Sequence, residues 1–246
     1  MQVERWDVLE ITVKGPAEGN PFVEQTFEGT FTGKNETITT AGFYDGDGVY
    51  KVRFMPSFEG EYTYKTTGSF PEAETQGSFT VTPATGNNHG PVRVANKYHF
   101  AYEDGVPYYS MGTTCYVWPH QPDEVIQKTL AELDKGYFNK MRFCVFPKHY
   151  IHNFKDPQTF PYEGAPVDAS GLTEENFSYN VGFEGNQWDF TRFYPEHFRR
   201  IERAILALRD RGIEADLIVM HPYDRWGFSQ MTKAQDDLYW NYVIAR

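Results

Sequence analysis

The sequence predicts a β-sandwich followed by an α/β module with a parallel sheet. Residues 6–83 alternate apolar and polar side chains in short runs broken by Gly, Asp and Pro, which is typical of sandwich strands. Residues 84–91 combine Pro, Gly and small polar residues without periodicity, as linkers do. From residue 92 onwards strand patterns alternate with helix patterns, which indicates βαβ units. The predicted organisation is therefore sandwich 1–83, linker 84–91 and α/β module 92–246.

In the first module, residues 49–54 show the clearest strand alternation, and turns are predicted at Gly15-Pro16 and at residues 45–48. After a turn at Glu59-Gly60, a further strand places Tyr62 and Tyr64 on one face. This run resembles the corner of immunoglobulin-like domains. An ordinary β-hairpin with aromatic packing is the alternative.

The second module opens with a small hairpin over residues 92–102. Strands are then predicted over 108–114, 140–147 and 215–220, and helices begin near Asp123, Pro195 and Asp236. The first two helices carry regular apolar stripes and end at glycines; the stripe residues are Val125, Ile126, Leu130 and Leu133, then Phe198, Ile201, Ile205 and Leu208. Three strand–helix units follow from this pattern.

The segment 149–192 between the second strand and its helix is too long for an ordinary connection, and such loops are usually functional. Several of its acids could line a cleft or simply be solvated: Glu163, Asp168, Glu174, Glu175, Glu184 and Asp189. The pattern does not favour any of them as a catalytic residue.

Composition excludes some classes of partner. The net charge of −11 repels nucleic acid and anionic membrane surfaces, and no apolar run reaches the ~20 residues that span a bilayer. Residues 1–6 lack the features of a signal peptide, so we expect a cytoplasmic location, or secretion if a signal was removed. Aromatic residues make up 17% of the chain, which suits both core packing and contact with sugar rings.

Cys115 and Cys144 both lie in predicted strands, and we expect two buried thiols. The sequence shows no cluster of metal ligands at suitable spacing, and no cofactor is expected. His120 stands between two prolines, where we expect it to be exposed to solvent.

A polar and aromatic cluster follows the apolar strand residues 217–220 directly. It consists of His221, Tyr223, Asp224, Arg225 and Trp226. In barrels of alternating strands and helices, binding and catalytic residues lie at the carboxyl ends of the strands. The cluster therefore predicts one wall of a pocket.

The three strand ends resemble those of the large glycoside hydrolase clan built on the (β/α)₈, or TIM, barrel. Residues 140–147 resemble its second strand and residues 217–221 its third, whereas residues 111–118 resemble the first strand of cellulase-like or apiosidase-like hydrolases (domain of unknown function 4038). Residues 1–83 resemble the immunoglobulin-like sandwich that precedes such barrels (domain of unknown function 5060). The fold class implied is a β-sandwich followed by the first three βα units of an incomplete barrel.

The resemblance implies roles for two residues. Arg142 would contact the nucleophilic carboxylate and His221 would bind substrate; a structural ion pair and a core histidine are the respective alternatives. In that clan the acid/base glutamate ends the fourth strand and the nucleophile ends the seventh. No such glutamates can be assigned within this chain, so we expect both catalytic residues beyond residue 246.

The expected function is that of an amino-terminal portion of a retaining glycoside hydrolase acting on β-linked oligo- or polysaccharide. The alternatives are a non-catalytic carbohydrate-binding protein and a truncated structural fragment. The candidate substrate-binding residues are Arg142, His221, Trp118, Tyr116, Tyr223, Asp224, Trp226, His149 and Tyr150. For Trp118 and Trp226, core packing is an equally good interpretation.

The expected partners are a carbohydrate substrate and the remaining barrel segment, or a second copy of the chain, either of which would cover open sheet edges. Three strands alone would expose the apolar side chains of Met111, Phe143, Val145, Ile218 and Met220. Nucleic acid and membranes are not expected as partners.

Overall fold

The computed structural model describes residues 1–176, 184–220 and 225–246. The chain divides into two compact units. The first contains Met1–Tyr109 together with Asp237–Arg246, and the second contains Ser110–Asp236. The predicted linker, residues 84–91, therefore falls inside the first unit, and the boundary placed there remains a prediction.

The first unit contains a seven-stranded mixed sheet. Its strands are β1 (Gln2–Glu4), β2 (Leu9–Lys14), β3 (Phe27–Gly33), β4 (Thr37–Tyr44), β5 (Val49–Phe54), β6 (Gly60–Gly68) and β7 (Thr75–Thr82), and a short helix α1 (Pro21–Glu24) precedes β3. The strand order is β1-β7-β6-β3-β4-β5-β2. Only the β1–β7 pairing is parallel among these neighbours.

Strand β4 connects the two halves of this sheet. It pairs with β3 up to Ala41 and with β5 from Gly42 onwards. A Cβ atom at Gly42 would lie 2.4 Å from the Phe27 ring and 2.8 Å from the Lys51 carbonyl oxygen. A residue without a side chain is therefore required where the strand passes from one partner to the other.

The two halves enclose one aromatic-rich core. It contains Leu9, Ile11, Val13, Phe27, Phe31, Tyr44, Tyr50, Val52, Phe54, Tyr62, Phe70, Ala73, Phe79 and Val81. Alternate residues of each strand point into this core, as period-two patterning dictates. Tyr62 is buried in it and Tyr64 packs against it, which confirms that these two tyrosines share a face.

The carboxyl-terminal part of a later helix, within residues 237–246, also belongs to the first unit. Tyr242 donates a hydrogen bond from its hydroxyl to the Tyr44 carbonyl oxygen (3.0 Å). The Arg246 guanidinium forms an ion pair with Asp45 at 2.8 Å, and both side chains are about 95% buried, at 4% and 5% exposure. A small antiparallel sheet completes this unit: β8 (Val92–Ala95), β9 (His99–Tyr102) and β10 (Pro107–Tyr108).

The second unit contains a parallel sheet of three strands, β11 (Gly112–Thr114), β12 (Lys140–Cys144) and β15 (Glu214–Ile218), in the order β11-β12-β15. Helix α2 (Asp123–Leu133) lies between the first two strands in sequence, and α3 (Pro195–Arg209) precedes the third. This confirms the predicted strand–helix alternation. A fourth helix, α4 (Lys233–Ala245), follows, and the boundary between the units falls within it.

One face of the parallel sheet is covered by helices. Met141 and Phe143 pack with Leu130, Leu133, Ile201 and Leu208 in a single buried cluster. The expected exposure of Phe143 and Val145 is therefore wrong: their exposed fractions are 0% and 2%. Met111 is exposed as expected, and Ile218 and Met220 are half-buried.

The long segment after β12 contains an antiparallel strand pair that the sequence pattern did not reveal, β13 (Tyr162–Ala165) and β14 (Gln187–Phe193). Tyr162 packs its ring against Phe193 and Phe228. Aromatic packing thus anchors this segment. No helix within the described parts of the chain is long and apolar enough to cross a membrane.

Candidate functional site

The face of the parallel sheet opposite the helices carries charged side chains. Arg142 on β12 is in register with Thr114 on β11 and with Asp216 on β15. Its Nε lies 3.0 Å from the Asp216 Oδ2, and a second guanidinium nitrogen lies 2.8 Å from the same oxygen. Lys140 approaches that carboxylate at 3.4 Å. Two cations thus share one acid on this face.

These contacts set the ionisation of the acids. Partial burial would raise the pKa of Asp216, but the hydrogen bonds and positive charges of Arg142 and Lys140 outweigh it and lower that pKa. Burial raises the pKa of Glu214, which is in register with Lys140. Asp216 therefore stays ionised at neutral pH and holds Arg142 in place.

A second group lies at the carboxyl ends of β11 and β12. The Lys148 ammonium lies 3.9 Å from the ring centre of Tyr116 and 5.4 Å from that of Tyr150. This is cation–π geometry. Burial raises the pKa of Tyr150, and nearby Cys115, Cys144 and Tyr116 add to the effect. All three side chains are half-buried, so the structure brings two predicted site residues, Tyr116 and Tyr150, to one partly accessible place.

His149 and Trp226 lie deeper. His149 is 5% exposed and meets the Trp226 ring edge-on at 6.1 Å between ring centres. Trp226 is fully buried and donates from Nε1 to the Asp156 carboxylate at 3.0 Å, and the buried Arg225 pairs with the same carboxylate. These placements favour packing over sugar stacking.

Trp118 is also buried, at 3% exposure. Its indole packs edge-on against Phe143 with ring centres 5.8 Å apart, inside the cluster between sheet and helices. Of its two interpretations, core packing is the one that this position favours.

His221, Tyr223 and Asp224 lie outside the described residues. The prediction that Arg142 and His221 face one cavity therefore stays a prediction. Arg142 lies on β12, and β15 precedes His221 in sequence. The structure does confirm that these two strands are adjacent and parallel.

Burial of both thiols was expected, and the structure confirms it for Cys144 but not for Cys115. Cys144 is fully buried and Cys115 half-buried, and both are free. Burial raises the pKa of Cys144 to about 11, so it is a protonated thiol at neutral pH. Within residues 1–176, 184–220 and 225–246, no three His, Cys, Asp or Glu side chains come together as metal ligands.

Sequence reasoning missed Asp216 and Lys148 and placed His120 wrongly. His120 is only 1% exposed, because the turn that carries it folds under β12, where its ring stacks on His197. The position of Asp216 could have been predicted from the sequence. Glu214 and Asp216 alternate with Ala215 and Leu217, which indicates a strand with one polar face. The later run of four apolar residues hid that alternation.

Comparisons with known proteins give one family match and several similar structures. Residues 2–69 match the family model for domain of unknown function 5060. The whole chain matches the crystal structure of a "putative glycoside hydrolase" from Bacteroides vulgatus with 38% identity and a TM-score of 0.86. The chain spans about half of that protein's length, 51%. No curated protein matches the chain.

Weaker similarity extends to two other structures. One is described simply as a glycoside hydrolase (13% identity, TM-score 0.40, 62% of this chain and 30% of that one). The other is a family 5 glycoside hydrolase from Bacteroides vulgatus (15% identity, TM-score 0.38, 62% of this chain and 29% of that one). Similarities of this size support no conclusion about this chain.

Proposed function

We propose that this chain forms the amino-terminal part of a retaining glycoside hydrolase that acts on β-linked oligo- or polysaccharide. The observation that carries the proposal is the 38% identity, at a TM-score of 0.86, with the Bacteroides vulgatus structure over the full chain. In this proposal an immunoglobulin-like sandwich precedes the first three βα units of a (β/α)₈ barrel. The remaining strands come from sequence outside the 246 residues.

The charged face of the parallel sheet supports this assignment. Retaining hydrolysis uses two carboxyl groups about 5–5.5 Å apart, one as nucleophile and one as acid/base. Arg142 is 49% exposed and uses only part of its five N–H donors on Asp216. We propose that its other donors hold the nucleophilic glutamate of a later strand in its ionised form. This mechanism needs no metal or cofactor.

We propose that the sugar contacts lie at the strand ends above this face. Tyr116, Lys148 and Tyr150 offer hydroxyl groups, an ammonium group and partly open aromatic faces there. His221, Tyr223 and Asp224, which follow β15 in sequence, would add further hydrogen bonds. We assign the buried Trp118, His149 and Trp226 to the support of this edge and not to sugar stacking.

The test is hydrolysis of 4-nitrophenyl β-glycosides and of β-linked polysaccharides. The chain is assayed alone and together with a polypeptide that matches the other half of the Bacteroides vulgatus relative. Activity in the mixture, with the β-anomer as the first product by NMR, is expected. An α-anomer as first product would exclude the retaining mechanism, and sugar binding without turnover in the mixture would favour a binding protein.

A matched pair of variants makes this test specific. Arg142→Met removes the guanidinium that is proposed to hold the nucleophile, and it should lower kcat at least a hundredfold. Arg93→Met removes an exposed arginine that pairs with Glu103 on a surface hairpin, and it should leave kcat unchanged. Equal activity of the two variants would remove Arg142 from the proposed machinery.

A further inference from the structure

Two histidines form a buried stacked pair below the carboxyl end of β12. The rings of His120 and His197 lie 5.4 Å apart between centres, at an angle of 18°. Their exposed fractions are 1% and 0%. His120 follows β11, and His197 lies in the first turn of α3, so the pair brings two connecting segments together under the middle strand.

Both rings contact the backbone at the point where β12 ends. His120 Nε2 lies 2.9 Å from the Cys144 carbonyl oxygen, and His197 Nε2 lies 2.9 Å from that of Val145. A carbonyl oxygen only accepts hydrogen bonds, so each histidine carries a proton on Nε2 and donates it to the carbonyl. Lys148 and Tyr150 follow these carbonyls within a few residues.

Further hydrogen bonds connect the turn that carries His120 to the segment that follows β12. Gln121 donates from Nε2 to Asn153 Oδ1 at 2.7 Å, and Asn153 donates from Nδ2 to the Lys148 carbonyl oxygen at 3.0 Å. The turn over residues 118–121 therefore fixes the segment 144–150 at its beginning and near its end.

The surroundings disfavour protonation of His120. Arg200 of α3 donates to the Pro119 carbonyl oxygen at 2.7 Å and to that of Gln121, and it pairs with Asp123 of α2 at 2.8 Å. Burial lowers the pKa of His120 to about 3, and the neighbouring His197 ring and the Arg200 charge oppose its protonation further. The buried Nδ1 of His120 has no hydrogen-bond partner among the described residues.

We infer that His120 and His197 are positioning residues that, as a buried stacked pair, hold the carboxyl end of β12 and fix the place of Lys148 and Tyr150. The consequence for sugar binding rests on the proposed function. The hydrogen bonds from the two histidines to the β12 backbone are independent of that function. Neither histidine touches the proposed sugar site, so the pair acts through the segment that it fixes.

Hydrogen exchange of the 246-residue chain tests the hold directly. His120→Leu removes the donor to Cys144, whereas His120→Gln keeps an N–H that can reach it. The leucine variant should raise amide exchange at residues 146–150, of which all but Pro147 carry an N–H, at least tenfold, and leave exchange at Met141 and Leu217 unchanged. The glutamine variant should restore slow exchange. Unchanged exchange at residues 146–150 in the leucine variant, or an equal rise throughout the unit, would overturn the inference.

If the leucine variant does not fold, NMR of the unmodified chain tests the inference through the protonation state and tautomer of the imidazole. The His120 imidazole should remain neutral, with its proton on Nε2, from pH 7.5 down to pH 5. A His120 ring that titrates near pH 6.5, or that carries its proton on Nδ1, would overturn the inference.

Sugar binding then separates this inference from the proposed function. In the mixture with the second polypeptide, His120→Leu should raise the KM for a β-linked oligosaccharide at least tenfold, and His120→Gln should stay within about twofold. Faster exchange without any sugar binding would leave the positioning role intact and defeat the proposed function.

Discussion

Arg142 and Asp216 face each other from adjacent parallel strands, with a guanidinium nitrogen 2.8 Å from the carboxylate oxygen. Lys140 shares the same carboxylate. The pair is partly open to solvent, at 49% and 25% side-chain exposure, so its role lies more in fixing the arginine than in stability.

Removing Asp216 should therefore cost little stability. We expect Asp216→Asn to lower the free energy of unfolding by about 1 kcal/mol or less, because a partly exposed pair gains little from its charges. Urea unfolding measures this. The coupling energy in a double-mutant cycle with Arg142→Met should stay below about 1 kcal/mol. A loss of several kcal/mol would mean that this face is much drier than its exposure indicates.

The pair between Asp45 and Arg246 should behave differently, because both side chains are about 95% buried. Asp45→Asn leaves the Arg246 guanidinium buried without its counter-ion, and we expect a loss of about 3 kcal/mol in urea unfolding. Glu59→Gln is the matched control, since it breaks the exposed pair with Arg5 and should cost less than about 0.5 kcal/mol. Similar losses in both variants would contradict the assigned burial.

His120 should make stability depend on pH. Its pKa is about 3 in the folded chain and about 6.5 when unfolded, so below pH 6.5 only the unfolded state gains its proton. Its contribution is constant above that pH, and stability should fall by about 2 kcal/mol between pH 7 and pH 5.

The control for this pH dependence is a second histidine. His120→Gln should flatten the fall between pH 7 and pH 5, whereas His152→Gln, at an exposed position, should keep it. Urea midpoints measured at both pH values give the comparison. An unchanged slope in His120→Gln would show that this imidazole is protonated in the folded chain.

Gly42 provides a steric prediction. In Gly42→Ala the new Cβ would meet the Phe27 ring and the Lys51 backbone, and we expect a loss of about 2 kcal/mol in the free energy of unfolding. Gly171→Ala is the control, because no atom lies within 4 Å of its added Cβ. A neutral Gly42→Ala would show that the bend in β4 can shift without cost.

Much of the fold was readable because apolar periodicity determines which faces are buried. Helix α3 begins at Pro195 as predicted, and its stripe of Ile201, Ile205 and Leu208 packs where expected. The β13–β14 pair was not readable, since Gly, Pro and aromatic residues in that segment obscure any alternation. Its strands depend on ring packing around Tyr162, a contact between residues far apart in sequence.

The candidate site could be predicted only in part, because some of its features also depend on contacts between residues far apart in sequence. Tyr116 and Tyr150 were predicted from their position after strands, and the structure brings them to the same lysine. The burial of His120 could not be predicted, because it depends on His197 some 77 residues later in the chain. Flanking prolines indicated a turn correctly, but a turn can lie under a sheet as readily as on a surface.

The buried contact between Asp45 and Arg246 also has a consequence for the time course of synthesis. The two residues are 201 positions apart, and the chain is made from its amino end at ~5–20 residues per second. Synthesis of the intervening residues takes on the order of 10–40 s. During this time the Asp45 carboxylate has been made but the Arg246 guanidinium has not, and the Tyr44 carbonyl likewise lacks the Tyr242 hydroxyl. The sandwich can therefore reach its final packing only after α4 has left the ribosome, so slowing translation between codons 110 and 236 should prolong its sensitivity to protease.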